Sequence, residues 1–114
     1  MSDDCIFCKI IAGEMGGPPL YQDDDVTAFR DINPQAPMHI LIVPNKHMAS
    51  ANEASAEDQA VLGKMILTAA KLAQSEGVAE SGYRLIINNG SEAGQVVFHL
   101  HMHLMGGRRM RGLG

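Results

Sequence analysis

Phe98-His99-Leu100-His101-Met102-His103-Leu104-Met105 is the stretch whose reading decides the fold. Successive side chains of a strand point to opposite faces, so residues two apart share a side. His99, His101 and His103 then line one face, while Phe98, Leu100, Met102 and Leu104 turn to the core. A helix would scatter the three imidazoles around its axis. The reading is therefore a half-buried strand over residues 96–105, stopped by Gly106-Gly107.

Working outward, residues 88–95 (Asn-Asn-Gly-Ser-Glu-Ala-Gly-Gln) form a turn-rich loop, and residues 83–87 a further strand. Upstream, Val61, Leu62, Met65, Ala69, Leu72 and Ala73 recur at helical spacing. They predict a helix over about 56–76, opened by a capping box of Ser55 with Asp58 and ended at Gly77. Residues 39–43 are apolar beyond His39 and end at Pro44, the pattern of a central strand buried on both faces. Pro34 and Pro37 make 31–38 an ordered loop. Residues 20–29 offer two short strands around Asp23-Asp24-Asp25, and 5–11 a short apolar helix broken by Gly16-Gly17-Pro18-Pro19. The order predicts an α+β fold: a mainly antiparallel five-stranded sheet, one long helix and a short N-terminal helix.

A length of 114 residues fits one domain over 1–114. With 46% hydrophobic residues but 4% aromatics and no Trp, the core is left to Leu, Ile, Val, Met and Ala, and eight Met make it adaptable. A net charge of -4 argues against a protein that coats nucleic acid, which needs a broad basic face, but not against a local phosphate pocket. Arg108, Arg109 and Arg111 read as a solvated tail. No apolar run approaches the ~20 residues of a membrane span, and the acidic start Met1-Ser2-Asp3-Asp4 lacks the order of a signal peptide, so a cytoplasmic location is expected. In a reducing compartment the Cys5-x-x-Cys8 pair suggests metal or redox chemistry more than a disulfide.

Three imidazoles in register beside a Gly- and Asn-rich loop leave two sharp readings. One is a metal site, since His-x-His is good zinc-ligand spacing. The other is a nucleophilic histidine attacking phosphorus, tuned by its neighbours.

The His-apolar-His-apolar-His-apolar-apolar run of His99 to Met105 resembles the signature of the histidine triad (HIT) superfamily of nucleotide hydrolases and transferases. The resemblance extends to residues 31–44, similar to the family's upstream block, to 88–95, similar to its phosphate loop, and to Gly106-Gly107-Arg108, which resembles the HINT branch of purine nucleoside phosphoramidases. It implies that His101 attacks the α-phosphorus to form a nucleotidyl-histidine, which water resolves to a nucleoside monophosphate, with His103 and His39 orienting or tuning the site. It implies phosphate contacts from Gly94, Gln95 and Val96, a ribose contact from Asp31, and a purine slot walled by Phe7, Ile10, Phe29, Ile32 and Leu41 with Asn88 beside it. The resemblance to bacterial zinc-binding members and to galactose-1-phosphate uridylyltransferases implies a closed structural zinc held by Cys5, Cys8, His47 and His99. It also implies a homodimer through the long helix and the sheet edge at 83–87. Two departures bear on substrate preference. Val96 stands where many eukaryotic members carry a Ser, and the chain ends at Gly114 without the aromatic of a longer tail. The alternatives are a dinucleoside polyphosphate hydrolase or nucleotidyl transferase of the same superfamily, a zinc hydrolase using the triad as ligands, and a non-catalytic nucleotide-binding protein.

Overall fold

The computed structural model describes residues 4–114, so the first three residues of the acidic start lie outside the described residues. Helix α1 (Ile6–Ile11) is followed by strands β1 (Tyr21–Gln22), β2 (Val26–Arg30) and β3 (Met38–Pro44), helix α2 (Gln59–Ser75), and strands β4 (Tyr83–Ile87) and β5 (Met102–Gly106). The strands form one sheet in the order β1-β2-β3-β5-β4, and every pairing is antiparallel.

Strand β3 holds the centre and is buried along its whole length. Its pleat divides it between two layers. Met38, Ile40 and Ile42 join Val26, Ala28, Met102 and Leu104 under the α2 residues Met65, Ala69 and Ala73. Leu41 and Val43 face the opposite layer, with Cys5, Phe7 and Cys8. Ile40, Ile42, Met65 and Leu104 are fully buried, each contributing about 1.5–3 kcal/mol of transfer free energy. The sheet therefore needs cover on both faces: α2 supplies one, and α1 with the histidines supplies the other.

Helix α2 begins as foreseen. Ser55 and Asp58 close a capping box around a single 3-10 turn at Ala56–Asp58, and regular helix runs from Gln59. The C-terminal end is Gly77, whose φ of +79° suits glycine.

The decisive strand is shorter than the alternation predicts. Pairing begins only at Met102, so His99 and His101 lie in the bent segment before β5. On the β3 side the ladder stops at Ile42↔Met102; two residues on, Pro44 has no N–H to give, and its carbonyl is taken by the His99 ring. The Leu100 N–H instead reaches the Met48 carbonyl, at 2.7 Å. The two-sided alternation survives without the ladder at Leu100, Met102 and Leu104, which are buried. Phe98 departs from it: it is 51% exposed rather than in the core, because the chain has already turned away from the sheet there.

Candidate active site

The odd-numbered face of β3 and β5 carries His39 and His103, and the bent segment before β5 adds His101 and His99. Phe7 of α1 stands edge-on to both His99 and His101, with ring centroids 6.0 and 5.1 Å away. The short helix thus seals one end of the histidine row. A cavity of about 500 Å³ opens at the other, lined by His101, His103, His39, Asp31, Phe7, Ile10, Phe29, Leu41, Ile32, Gly94 and Val96 among others.

Hydrogen bonds to backbone groups fix the ring tautomers. A carbonyl only accepts, so His101 Nδ1 must donate to the His99 carbonyl at 2.7 Å; in the neutral ring this leaves Nε2 with its lone pair. The Gln35 N–H donates to His39 Nδ1 at 3.0 Å. His39 Nε2 then carries the hydrogen and gives it to His103 Nδ1 at 2.8 Å, so the hydrogen of His103 sits on Nε2. Burial lowers the pKa of His39, with Asp31 opposing. Burial also pushes His103 down to about 4, with His101 and His39 adding to the shift and Asp31 opposing it. Both rings are therefore neutral at neutral pH, as the tautomer chain requires.

The loop carrying Gln35 is held from two sides. Arg108 donates to the Gln35 carbonyl at 2.8 Å. Gly107, at φ +97°, packs so closely that a Cβ there would meet the Pro37 Cβ at 2.9 Å. Arg108 is thus a brace rather than part of a solvated tail. Sequence reasoning missed this role; the only signal was the position of Gly106-Gly107-Arg108 directly after the histidines.

Asp31 is placed by its own turn, its Oδ1 accepting from the Asn33 N–H at 2.9 Å, while Oδ2 lies 3.5 Å from His39 Nε2. Ile32, at the cavity rim, is 98% exposed, an apolar side chain waiting for cover. Three placements differ from the expectation. Asn88 does not line the cavity. Gln95 is buried, and its amide donates to the Ala49 and Val97 carbonyls rather than facing the cavity. The N–H groups of Gly94 and Gln95 are committed to the Ser91 and Gly90 carbonyls. The turn needs these bonds to close, while Gly94 and Val96 themselves line the cavity.

On the far side of His101 from the cavity wall of His39, Cys5, Cys8, His47 and His99 bring four donor atoms within 4.8 Å of one another. Cys5 and Cys8 are both buried. His99 Nδ1 lies 3.3 and 3.6 Å from the two sulfurs and 3.1 Å from His47 Nδ1, and the Cys8 sulfur is 3.4 Å from His47 Nδ1. The His99 Nε2–H donates to the Pro44 carbonyl at 2.8 Å, which leaves Nδ1 unprotonated towards the thiols. Edges of this length are those of a tetrahedron with bonds of about 2.0–2.3 Å to nitrogen and sulfur. The four residues fit a metal ion.

With the site described, its kinship is plain. Residues 13–110 match the HIT domain, and the chain belongs to this family. It is 56% identical over 108 residues to the purine nucleoside phosphoramidase of Escherichia coli (strain K12), covering 95% of this chain and 91% of that protein. Among solved structures it resembles a HIT family hydrolase from Legionella pneumophila (TM-score 0.92, 48% identity, 95% of this chain and 96% of that one). It also resembles a HIT family hydrolase from Clostridium thermocellum (TM-score 0.94, 45% identity, 99% and 98%). None of the helices in the described residues is long and apolar enough to cross a membrane.

Proposed function

We propose that this chain, acting as one domain over residues 1–114, is a hydrolase that cleaves the phosphorus–nitrogen bond of purine nucleoside phosphoramidates. The observation that carries the reading is the His101 Nδ1–H bond to the His99 carbonyl, which leaves the cavity-facing imidazole an unprotonated Nε2. That lone pair attacks the α-phosphorus, and the phosphorus–nitrogen bond to the amine breaks. The leaving nitrogen takes up a proton from solvent, which the water of the second step gives back, while the His103 Nε2–H, set by the tautomer chain from Gln35 through His39, steadies that nitrogen with a hydrogen bond and stays on the ring. Water then cleaves the nucleotidyl-histidine, releases a nucleoside monophosphate and restores His101. One difficult displacement becomes two easier ones.

The Asp31 carboxylate, at the cavity wall, suits the 2′,3′-diol of a ribose, and Phe7, Ile10, Phe29, Leu41 and Ile32 supply apolar walls for a purine. Zinc on Cys5, Cys8, His47 and His99 would be structural, because a site with four protein ligands has no open position. It would tie α1, and with it Phe7, to the segment carrying His101. Ile66 and Leu67 on α2 are 52% and 66% exposed, and beside Leu67 a groove leads to Tyr83 on the edge strand β4. This surface supports the homodimer reading. The reading places the protein in the cytoplasm, where reduced thiols favour metal over disulfide.

The test is hydrolysis of an adenosine phosphoramidate by the wild type and by His101→Ala. A nucleophile predicts a loss of several orders of magnitude in kcat with adenosine monophosphate binding retained. Wild-type turnover by His101→Ala would reject the assignment, and absence of turnover in both would leave the nucleotide-binding alternative.

A further inference from the structure

Cys5 and Cys8 stand on one turn at the start of α1, whereas His47 and His99 reach the same cluster from the loop after β3 and the bent segment before β5. Cys5 is the N-cap of the helix, and its sulfur accepts the Cys8 N–H at 3.3 Å. Side chains three apart on a helical turn have Cβ atoms about 5–6 Å apart, and a disulfide needs them at about 3.5–4.5 Å. The two sulfurs already lie within 4.8 Å of each other. Tightening one turn therefore closes the pair, with no movement of the sheet. The sulfurs differ in access. Cys5 lines a second cavity of about 340 Å³, open to solvent beside His47, Ile6, Val96 and Phe98. Cys8 lies behind it, 3% exposed against 9% for Cys5. A reagent entering this cavity meets Cys5 first, with Cys8 within reach to resolve the product.

We infer that Cys5 and Cys8 are an oxidative modification site, a thiol pair that a hydroperoxide converts to a disulfide with loss of the metal. The site rests on the zinc reading of the four-residue cluster, independently of the phosphoramidase reading. The Cys5 thiolate attacks one peroxide oxygen, the O–O bond breaks, and Cys5 becomes a sulfenic acid as the second oxygen leaves as hydroxide. The Cys8 thiolate then attacks the Cys5 sulfur, forms the S–S bond and expels a second hydroxide. With hydrogen peroxide, two thiolates lose two electrons, the peroxide gains them, and two protons from solvent complete two water molecules. Two imidazoles remain of the four donors, too few for a closed tetrahedral site. A bridge inside one helical turn is of the strained kind that a dithiol reduces readily, which suits a reversible switch in a reducing compartment.

The test follows zinc and thiols together. The full chain is loaded with one equivalent of zinc, checked by metal analysis, and treated with hydrogen peroxide beside a chromogenic chelator. Zinc and the intramolecular disulfide, read as the loss of two hydrogens in intact mass and by peptide mapping, should appear in equal amounts and at equal rates. Dithiothreitol followed by zinc should restore the loaded protein. Dimedone should trap a sulfenic acid on Cys5 in Cys8→Ser faster than on Cys8 in Cys5→Ser; the reverse order would overturn Cys5 as the point of entry. No disulfide, a disulfide between two chains, or zinc released only as the thiols are driven to sulfinic acid would overturn the switch. A wild type that takes up no zinc before peroxide is added rejects the metal reading, and the switch with it. Bound zinc that stays in place once the disulfide has formed rejects the switch alone.

Discussion

Replacing Cys8 with Ser separates a structural metal from a catalytic one. Cys8 is buried, its sulfur 3.4 Å from His47 Nδ1 and 3.6 Å from His99 Nδ1. Helix α1 has six residues, far below the ~12–15 at which an isolated helix becomes marginally stable. Its place depends on Phe7, on Cys8 and on whatever joins the cysteines to the histidines. A metal that binds only the folded chain at a free concentration 100-fold above its Kd adds about 2.7 kcal/mol. For a domain of this size about 1 kcal/mol shifts Tm by ~4 °C, so chelation or Cys8→Ser should lower Tm by about 10 °C on the same estimate. His101 is not among the four donors, so turnover of an adenosine phosphoramidate at 25 °C, where both forms are folded, should stay within about threefold, less than ~0.7 kcal/mol of barrier. The assay is thermal unfolding with zinc buffered or chelated, alongside kcat at 25 °C. An unchanged Tm would refute the structural metal. A native circular dichroism spectrum with turnover abolished, then restored by zinc, would mean that the metal acts in the chemistry.

Other perturbations probe the remaining supports. Gly107→Ala sets a Cβ 2.9 Å from that of Pro37 at a φ of +97°. A cost of about 1–3 kcal/mol is expected in urea unfolding, with a fall in kcat as the Gln35 loop shifts His39; wild-type stability would refute the brace. His103 should remain neutral at pH 5, with an NMR midpoint near the value of about 4 that burial gives it. Its unfolded form takes up a proton around 6.5, the ordinary imidazole value, so this group's contribution to stability is complete above that pH and is lost as pH falls from there towards 4. A midpoint near 6.5 would contradict its burial. The homodimer reading predicts a dimeric wild type in light scattering and a folded monomer for Leu67→Asp, at a residue 66% exposed; a monomeric wild type would refute that reading, and a variant that stays dimeric would move the interface elsewhere.

Much of this architecture is legible along the chain because its signals are local. The capping box at Ser55 and Asp58, the helical stripe ending at Ala73, and the apolar run of β3 each report on their own neighbourhood. The grouping of Cys5, Cys8, His47 and His99 rested on resemblance to relatives, since spacing alone cannot bring positions so far apart together. What escaped were matters of backbone partnership. Alternation foresees a strand from residue 96, but it cannot show that Pro44 ends the ladder on one side and that Leu100 donates to Met48. A Gln in a glycine-rich loop looks like a phosphate ligand, yet the Gln95 amide is spent on the Ala49 and Val97 carbonyls. The link from Arg108 through the Gln35 backbone to the His39 ring runs through a carbonyl and an N–H that every residue but proline offers, so the side-chain pattern carries no sign of it.

The central claim is that His101 Nε2 forms a covalent bond to phosphorus. Rapid mixing with an adenosine phosphoramidate, an alkaline quench that preserves phosphohistidine, and peptide mapping by mass spectrometry test it directly. The account predicts one adenylyl group, on the peptide carrying residues 99–103 and fragmenting to His101, formed in a burst and absent from His101→Ala. An adduct on His103 or His39, or full single-turnover product with no adduct at any time, would contradict it.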